Sequence, residues 1–520
     1  MAVTLQLTVP SPIERKNTAP VKPDEVAAWL DNLPFLDLQR TAPAIHKQLR
    51  LFNRQPMTPS QRLAILAAFR HAYGRLKHTG TERPADAPPP MEGLCKKLSQ
   101  DMTFGYKLAL QDMLNARWSL VQRRALGQAI TGAIEGLGEH MTYFYAAAQR
   151  TPRALWNEAT ALFRYASEKK LDDVALSEAD GGSINASTVF RTIALLRLAD
   201  PYQMQPGTIW QLRDYFKQLV EQTRLIDAAA PANPERLRPL VIDSPGNGEP
   251  PLLLDVTGLM EQIEASLGQL QQSRRAAVAG FPNEMPASLV AHTLKRVQAT
   301  WSTQIDRRWD RTDVNQRLEL AVGVSACWCV ANGGRPFDPA LYSSLRADEI
   351  GLGEKPGRDT TPQTPSIYRC NSINRSAGGL ALQVQRAAGT ALHPGQIVAL
   401  RRSGSTTRAE WVIGVCRWLI ERGNSADIGV QFIARFPKPV AITRPDARLN
   451  DAVLPALVTE QTVRDTPVRH LITACGTYRD RSVLDLYENG HHKLAALKRL
   501  VDSSQDFEQF VFAITETADA

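Results

Sequence analysis

Asn374-Arg375-Ser376-Ala377-Gly378-Gly379-Leu380-Ala381-Leu382 is the stretch from which the fold can be read. Small and polar residues run straight into apolar positions at Leu380, Leu382 and Val384, the period-two pattern of a half-buried strand. The reading is a turn carrying Asn and Ser side chains beside two glycines, opening into a strand; such an edge suits a ligand. Further antiparallel strands are expected over residues 396–402, after the turn His393-Pro394-Gly395, over 411–420, and over 428–434 after Gly423-Asn424-Ser425. Strands of this length with short polar turns predict a small barrel or sandwich.

Several features in order then resemble the PilZ domain, a bacterial six-stranded barrel family that binds cyclic di-GMP. The family's second motif, Asp or Asn, any residue, Ser, any two, Gly, matches Asn374, Ser376 and Gly379. Its later strands match Leu392 to Leu400, Val415-Cys416-Arg417-Trp418 and Ile428-Gly429-Val430-Gln431-Phe432. Its first motif, Arg, any three, Arg, matches Arg307-Arg308-Trp309-Asp310-Arg311, ahead of an apolar run over 318–330. The interval from Arg311 to Asn374 is longer than a minimal family member uses, and the excess is assigned to a Gly-, Pro-, Asp- and Thr-rich excursion over 332–365.

What the resemblance implies agrees with the chemistry of those side chains. Guanine offers O6 and N7 to a bidentate guanidinium, so Arg307, Arg308 and Arg311 are the residues expected to fold over the ligand and stack on a purine. Asn374 and Ser376 are expected to hydrogen-bond guanine or phosphate, with Gly378 and Gly379 allowing close backbone approach. Taken singly, the Asn-x-Ser-Gly-Gly run is also an ordinary turn and Arg307 to Arg311 an ordinary solvated helix end.

Working outward, residues 23–227 read as helical. Thr58-Pro59-Ser60-Gln61 is a helix start with a capping Thr, Pro in the first turn and Gln at the third position. Thr151-Pro152 reads as the same device repeated. The aromatics Tyr143-Phe144-Tyr145, Trp156, Phe163 and Tyr165 fall at helical spacing and are read as core rather than as a groove. Residues 228–304 form a Pro- and Gly-rich linker with a short strand at Leu240-Val241-Ile242, then a helix pair that acts as a connector into the arginine motif.

The predicted organisation is α+β and multidomain: a flexible arm over 1–22, the helical domain over 23–227, the connector over 228–304, the PilZ-like barrel over 305–440 and a second small β module over 441–520. The last module is an extension of the barrel or a degenerate copy of it. His491 and His492 beside His470 and Cys475 raise a zinc site, but neighbours on a strand point to opposite faces, and a surface hairpin is the expectation.

With 61 basic against 53 acidic residues the chain carries a net charge of +8, spread without a basic block, so nucleic acid is not the expected partner. Six scattered cysteines without a Cys-x-x-Cys pair suit reduced thiols, and Cys327 and Cys329 read as core residues on one strand face. Neither a signal peptide nor an apolar run of membrane length is present, which together with the thiols predicts a cytoplasmic protein. No phosphate loop, nucleophile elbow, metalloprotease helix or cyclic di-GMP synthase or hydrolase signature appears, so the expectation is a non-enzymatic receptor without cofactor or metal. It would couple cyclic di-GMP binding to an unidentified protein partner of the helical half. The alternative is a degenerate barrel acting as an interaction scaffold.

Overall fold

The computed structural model describes residues 5–11, 22–81, 90–116, 122–178, 181–226, 239–244, 250–302, 312–339, 341–342, 366–385, 392–405, 411–443, 453–463, 466–476, 482–488 and 491–515. They form two compact units, one of residues 1–199 and 209–262 and one of 200–208 and 263–520.

The first unit is built on α1 (Pro23–Asp31), α2 (Leu38–Phe52), α3 (Pro59–Thr81), α4 (Pro90–Asn115), α5 (Arg123–Ala146), α6 (Arg153–Glu168), α7 (Ala186–Leu198) and α8 (Ile209–Leu219). A hairpin of β1 (Leu176–Ser177) and β2 (Ser183–Ile184) and an antiparallel sheet of β3 (Arg224–Ile226), β4 (Leu240–Asp243) and β5 (Leu252–Asp255), in the order β3-β5-β4, complete it. The start of α3 is a reciprocal cap: the Gln61 amide donates to Thr58 Oγ1 at 3.3 Å and the Thr58 amide to Gln61 Oε1 at 3.1 Å. The expected repeat of that device at Thr151 does not form, because α6 starts from Pro152 as N-cap with no side-chain cap bond. The aromatic positions are core, with Phe163 stacked on Phe190 at 4.2 Å and Trp156 on Phe190 at 5.6 Å. Among them α5 buries Glu139, whose carboxylate accepts from Ser99 Oγ at 2.9 Å, Tyr73 Oη at 3.0 Å and Lys77 Nζ at 3.2 Å.

In the second unit, α9 (Thr257–Ser273), which begins in the first, and α10 (Ala287–Ser302) precede the strands. The first group is β6 (Thr312–Asp313), β7 (Arg317–Val322), β8 (Ile367–Ser376), β9 (Gly379–Gln385), β10 (Ile397–Arg402), β11 (Val412–Arg422) and β12 (Ser425–Arg435), with α11 (Val324–Ala331) after β7. Their order is β6-β8-β7-β10-β11-β12-β9, and β9 also pairs with β8, so six strands close into an antiparallel barrel with β6 appended. A second closed barrel follows: β13 (Lys438–Thr443), β14 (Leu454–Val463), β15 (Thr466–Ala474), β16 (Val483–Glu488), β17 (His491–Ser503) and β18 (Phe507–Thr515), in the order β13-β14-β15-β18-β17-β16.

The apolar run over 318–330 is therefore not one strand. It ends β7 at Val322, turns at Gly323 with φ +91°, and continues as α11, so Cys327 and Cys329 are buried on a helix rather than on a strand face. That helix is wedged between the barrels: Trp328 donates from its indole Nε1 to the Val440 carbonyl at 2.9 Å, and Cys327, Ile397, Ile413, Leu457, Ile472 and Phe507 share its apolar cluster. A polar network ties α10 to both barrels. Arg296 hydrogen-bonds Gln203, Gln205 meets His393 Nδ1 at 3.1 Å, and Arg417 on β11 pairs with Asp502 on β17 at 2.5 Å. Burial, then the charge of Arg296, pushes the His292 imidazole in this network down to about 4, so it is neutral at pH 7.

Candidate functional site

Asn374 and Ser376 close β8; they do not sit in a loop ahead of β9. Burial alternates along that strand: Cys370 and Ser372 are buried, Asn371, Ile373 and Arg375 are exposed, and Asn374 and Ser376 are half-buried. The turn Ala377-Gly378 then reverses the chain, and Ser376 pairs with Gly379, Arg375 with Leu380 and Asn374 with Ala381. One extra β8 residue, Ile373, lies between the pairs Ser372–Leu382 and Asn374–Ala381, a bulge of the kind that re-aims side chains at a barrel rim.

At that bulge β8 changes neighbours. Its first half pairs with β7, but Asn374 pairs with Asp313 and Arg375 with Thr312 of β6. Ser372 holds the crossing segment. Its Oγ donates to the Val314 carbonyl at 2.7 Å and accepts from the Gln316 amide at 2.8 Å, while its own amide donates to the Gln316 carbonyl at 2.9 Å. The Val314 amide adds a bond to the Ile373 carbonyl at 3.3 Å. Arg307, Arg308 and Arg311 lie outside the described residues, yet Thr312, next in sequence after Arg311, is fixed beside the strand end that carries Asn374 and Ser376. The long interval in sequence is thus spanned by β7, α11 and residues up to β8 without separating these two points of the backbone.

The glycines answer to the barrel as well as to any ligand. A Cβ on Gly379 would stand 2.4 Å from the Val430 carbonyl oxygen of β12, so the close approach it permits is that of its own neighbouring strand. Gly378 accepts a hydrogen bond at its carbonyl from the Phe432 amide at 3.0 Å. Gly429 has a similar origin, since a Cβ there would meet Trp418 Nε1 at 1.9 Å: the indole on β11 takes the space a side chain on β12 would need.

Among the described residues Ser376 Oγ makes a single long contact, 3.4 Å, to the Gly379 carbonyl, and Asn374 is half-buried at the rim. Together they offer donors and acceptors suited to a purine edge or a phosphate oxygen. Arg417 donates to Gln431 Oε1 at 2.7 Å, which brings a cation onto the strand pair adjoining Gly379, because Gln431 is the ladder partner of Gly379. Sequence reasoning used Arg417 only as a strand marker and did not find Ser372 at all; the signal for Ser372 is a non-local bond that no local pattern encodes. In the second barrel, His492 Nε2 lies 2.9 Å from Asp485 Oδ1. Among the described residues no group of three or more His, Cys, Asp and Glu is placed to hold a metal, and no helix is long and apolar enough to cross a membrane.

Comparison with known proteins bears on both units. A family model described as the N-terminal domain of the cyclic-di-GMP receptor FimW matches residues 24–231, and one described as the middle PilZ domain of that receptor matches residues 236–351 and 347–439. The cyclic-di-GMP receptor FimW of Pseudomonas aeruginosa is 22% identical over 581 aligned positions, covering 98% of this chain and 94% of that protein. Among solved structures, the insecticidal delta-endotoxin Cry8Ea1 of Bacillus thuringiensis overlaps 95% of this chain and 69% of its own at 8% identity, with a TM-score of 0.19 that carries no argument about the fold.

Proposed function

Since this chain belongs to the PilZ-domain family and is a homologue of the FimW receptor, we propose that its first barrel binds cyclic di-GMP through Arg307, Arg308, Arg311, Asn374 and Ser376 and couples that binding to the helical unit. The observation that carries the reading is the pairing of Thr312 and Asp313 with Arg375 and Asn374, which sets the residue after the arginine motif on the strand end of the second motif. Guanidinium groups reaching from that segment meet the demands of a ligand with two phosphates and two guanines better than a solvated turn does.

Coupling rests on what flanks the arginines. In sequence, residues 303–311 join α10 directly to β6, and α10 is tied through Arg296 and Gln203 to the 200–208 segment that connects α7 with α8. A ligand that orders the arginines therefore biases α10, by no more than its differential affinity for the two arrangements. The role is that of a receptor in the cytoplasm, acting through a protein partner of the helical half and not through catalysis, nucleic acid or a cofactor.

Calorimetric titration of the full chain with cyclic di-GMP, beside the Arg307→Ala/Arg311→Ala variant, tests this. Saturable binding at about micromolar or tighter, lost in the variant, is the expected result. Binding that survives in the variant moves the cation site elsewhere, and no heat with the native protein leaves the scaffold reading. Ser372→Ala provides a second test. Freeing Val314 and Gln316 removes two hydrogen bonds worth about 1 kcal/mol each, so affinity is expected to fall about five- to thirtyfold while the barrel stays folded. Unchanged affinity would show that the 312–316 segment does not present the arginines.

A further inference from the structure

The second barrel has no part in this reading, and one of its mouths has the chemistry of a separate site. Its inward rows carry Val440, Val458, Leu471, Leu486 and Ala495 in the core. Two positions further along each strand, toward the same end of the barrel, stand Lys438, Glu460, Arg469, Glu488 and Lys493. The strand period therefore turns a charged ring inward at that end. It lines a cavity of about 390 Å³ with Val458, Leu486, Phe512 and Ile514 beneath it and Arg435 and Phe436 at the rim. This volume lies within the span of small-molecule pockets, roughly 300–1,000 Å³.

The charges do not cancel. Glu488 pairs with Lys493 at 2.8 Å and Glu460 stands 4.0 Å from Arg469. Arg435 and Lys438 are exposed and have no carboxylate within ion-pair distance among the described residues. Phe436 between them is 63% exposed and held at φ +56°, a left-handed geometry that an aromatic residue rarely adopts without compensation. A merely solvated ring of charge explains neither an apolar floor nor an unpaired pair of cations flanking an exposed ring.

We propose that this mouth binds a small organic anion with a planar apolar body, its acid group between Arg435 and Lys438 and its body against Phe436, Phe512 and Ile514. The cations supply attraction to the acid, Phe436 offers a stacking face, and the barrel floor removes apolar surface from water. No residue of this site belongs to the cyclic di-GMP reading, so the two stand or fall apart.

The probe is 8-anilinonaphthalene-1-sulfonate, a planar apolar anion that brightens when it leaves water, titrated into the full chain. Saturable brightening at about one dye per chain is expected. Arg435→Gln/Lys438→Gln is expected to weaken it by about tenfold or more, the loss of two charge-assisted contacts. Ile514→Trp, which fills the floor without changing charge, is expected to abolish it, with circular dichroism melts confirming that both variants fold. Displacement by guanosine monophosphate assigns the acid as a phosphate carried by a nucleoside, and displacement by 2-naphthoate as a carboxylate on an aromatic body. Absence of brightening, binding by both variants equal to that of the native chain, failure of both competitors to displace the dye, or displacement by cyclic di-GMP at the first barrel's saturation would each overturn the proposal.

Discussion

Gly379→Ala is expected to destabilise the first barrel by about 2–4 kcal/mol and to weaken cyclic di-GMP binding by at least about tenfold. The added Cβ would lie 2.4 Å from the Val430 carbonyl oxygen and 3.4 Å from the Gln431 Cα, and both are backbone atoms that no rotamer change can move aside. Either β9 withdraws from β12, losing the ladder that runs from Gly379–Gln431 to Gln385–Ser425, or the turn at Ala377-Gly378 distorts and carries Ser376 with it. In both cases stability and affinity fall together. If the glycine served ligand approach alone, the alanine would leave the melt unchanged and abolish binding. Gly404→Ala separates steric from conformational cost: Gly404 has φ +85° with open space around its Cβ position, so its substitution should cost only about 1 kcal/mol and leave affinity unchanged. The measurement is a thermal melt in parallel with the calorimetric titration for both variants.

This dual duty of Gly379 bears on how the family pattern is read. Asn374, Ser376 and Gly379 look in sequence like one ligand-facing set, yet the structure gives them distinct occupations. Two polar side chains sit at a strand end with hydrogen-bonding capacity to spare, and the glycine closes a barrel seam. Trp418 over Gly429 is a second seam of the same kind. The order of motif residues therefore reports the closed barrel first and the ligand through it.

What was legible in the sequence was local. Strands β9, β10, β11 and β12 follow from alternation and turn residues, and the cap of α3 follows from Thr58 and Gln61 three residues apart. The helix α11 was not, because a segment buried between two barrels has apolar residues on every side and no period to betray it; only Gly323, at φ +91°, marks where strand gives way to helix. Strand β8 was not legible, and its end at Asn374 and Ser376 reads in sequence as a turn, since the polar residues Asn371, Asn374 and Ser376 obscure the alternation. Ser372 was invisible for a different reason: its partners Val314 and Gln316 are more than fifty residues away, and their meeting depends on the bulge at Ile373. Thr151 failed as a cap because Pro152 occupies the capping position.

In the helical unit, Glu139→Ala is expected to cost about 3–5 kcal/mol, which for a unit of this size corresponds to a fall of roughly 10 °C in its melting temperature. Glu139 is 5% exposed and receives three donors, from Ser99, Tyr73 and Lys77. Tyr73 also shares its hydroxyl with Tyr143 at 3.0 Å, so removing the carboxylate unsettles a network spanning α3, α4 and α5. Burial alone would raise the Glu139 carboxyl, but the charges of Lys77 and Arg213 and the hydroxyls of Ser99 and Tyr73 hold it below the ordinary glutamate value. A carboxyl depressed in the folded state stabilises fully above its unfolded value, and that contribution is lost as pH falls through the folded one. The native melt should therefore decline on acidification below about pH 4, while the alanine variant, already without the carboxylate, declines less. Because the proposed dinucleotide site draws on β8 and the segment before β6, the same variant is expected to keep its cyclic di-GMP affinity within about threefold. A larger loss measured well below the variant's melt would mean that the folded helical unit sets the binding competence of the barrel, which is coupling read in the reverse direction.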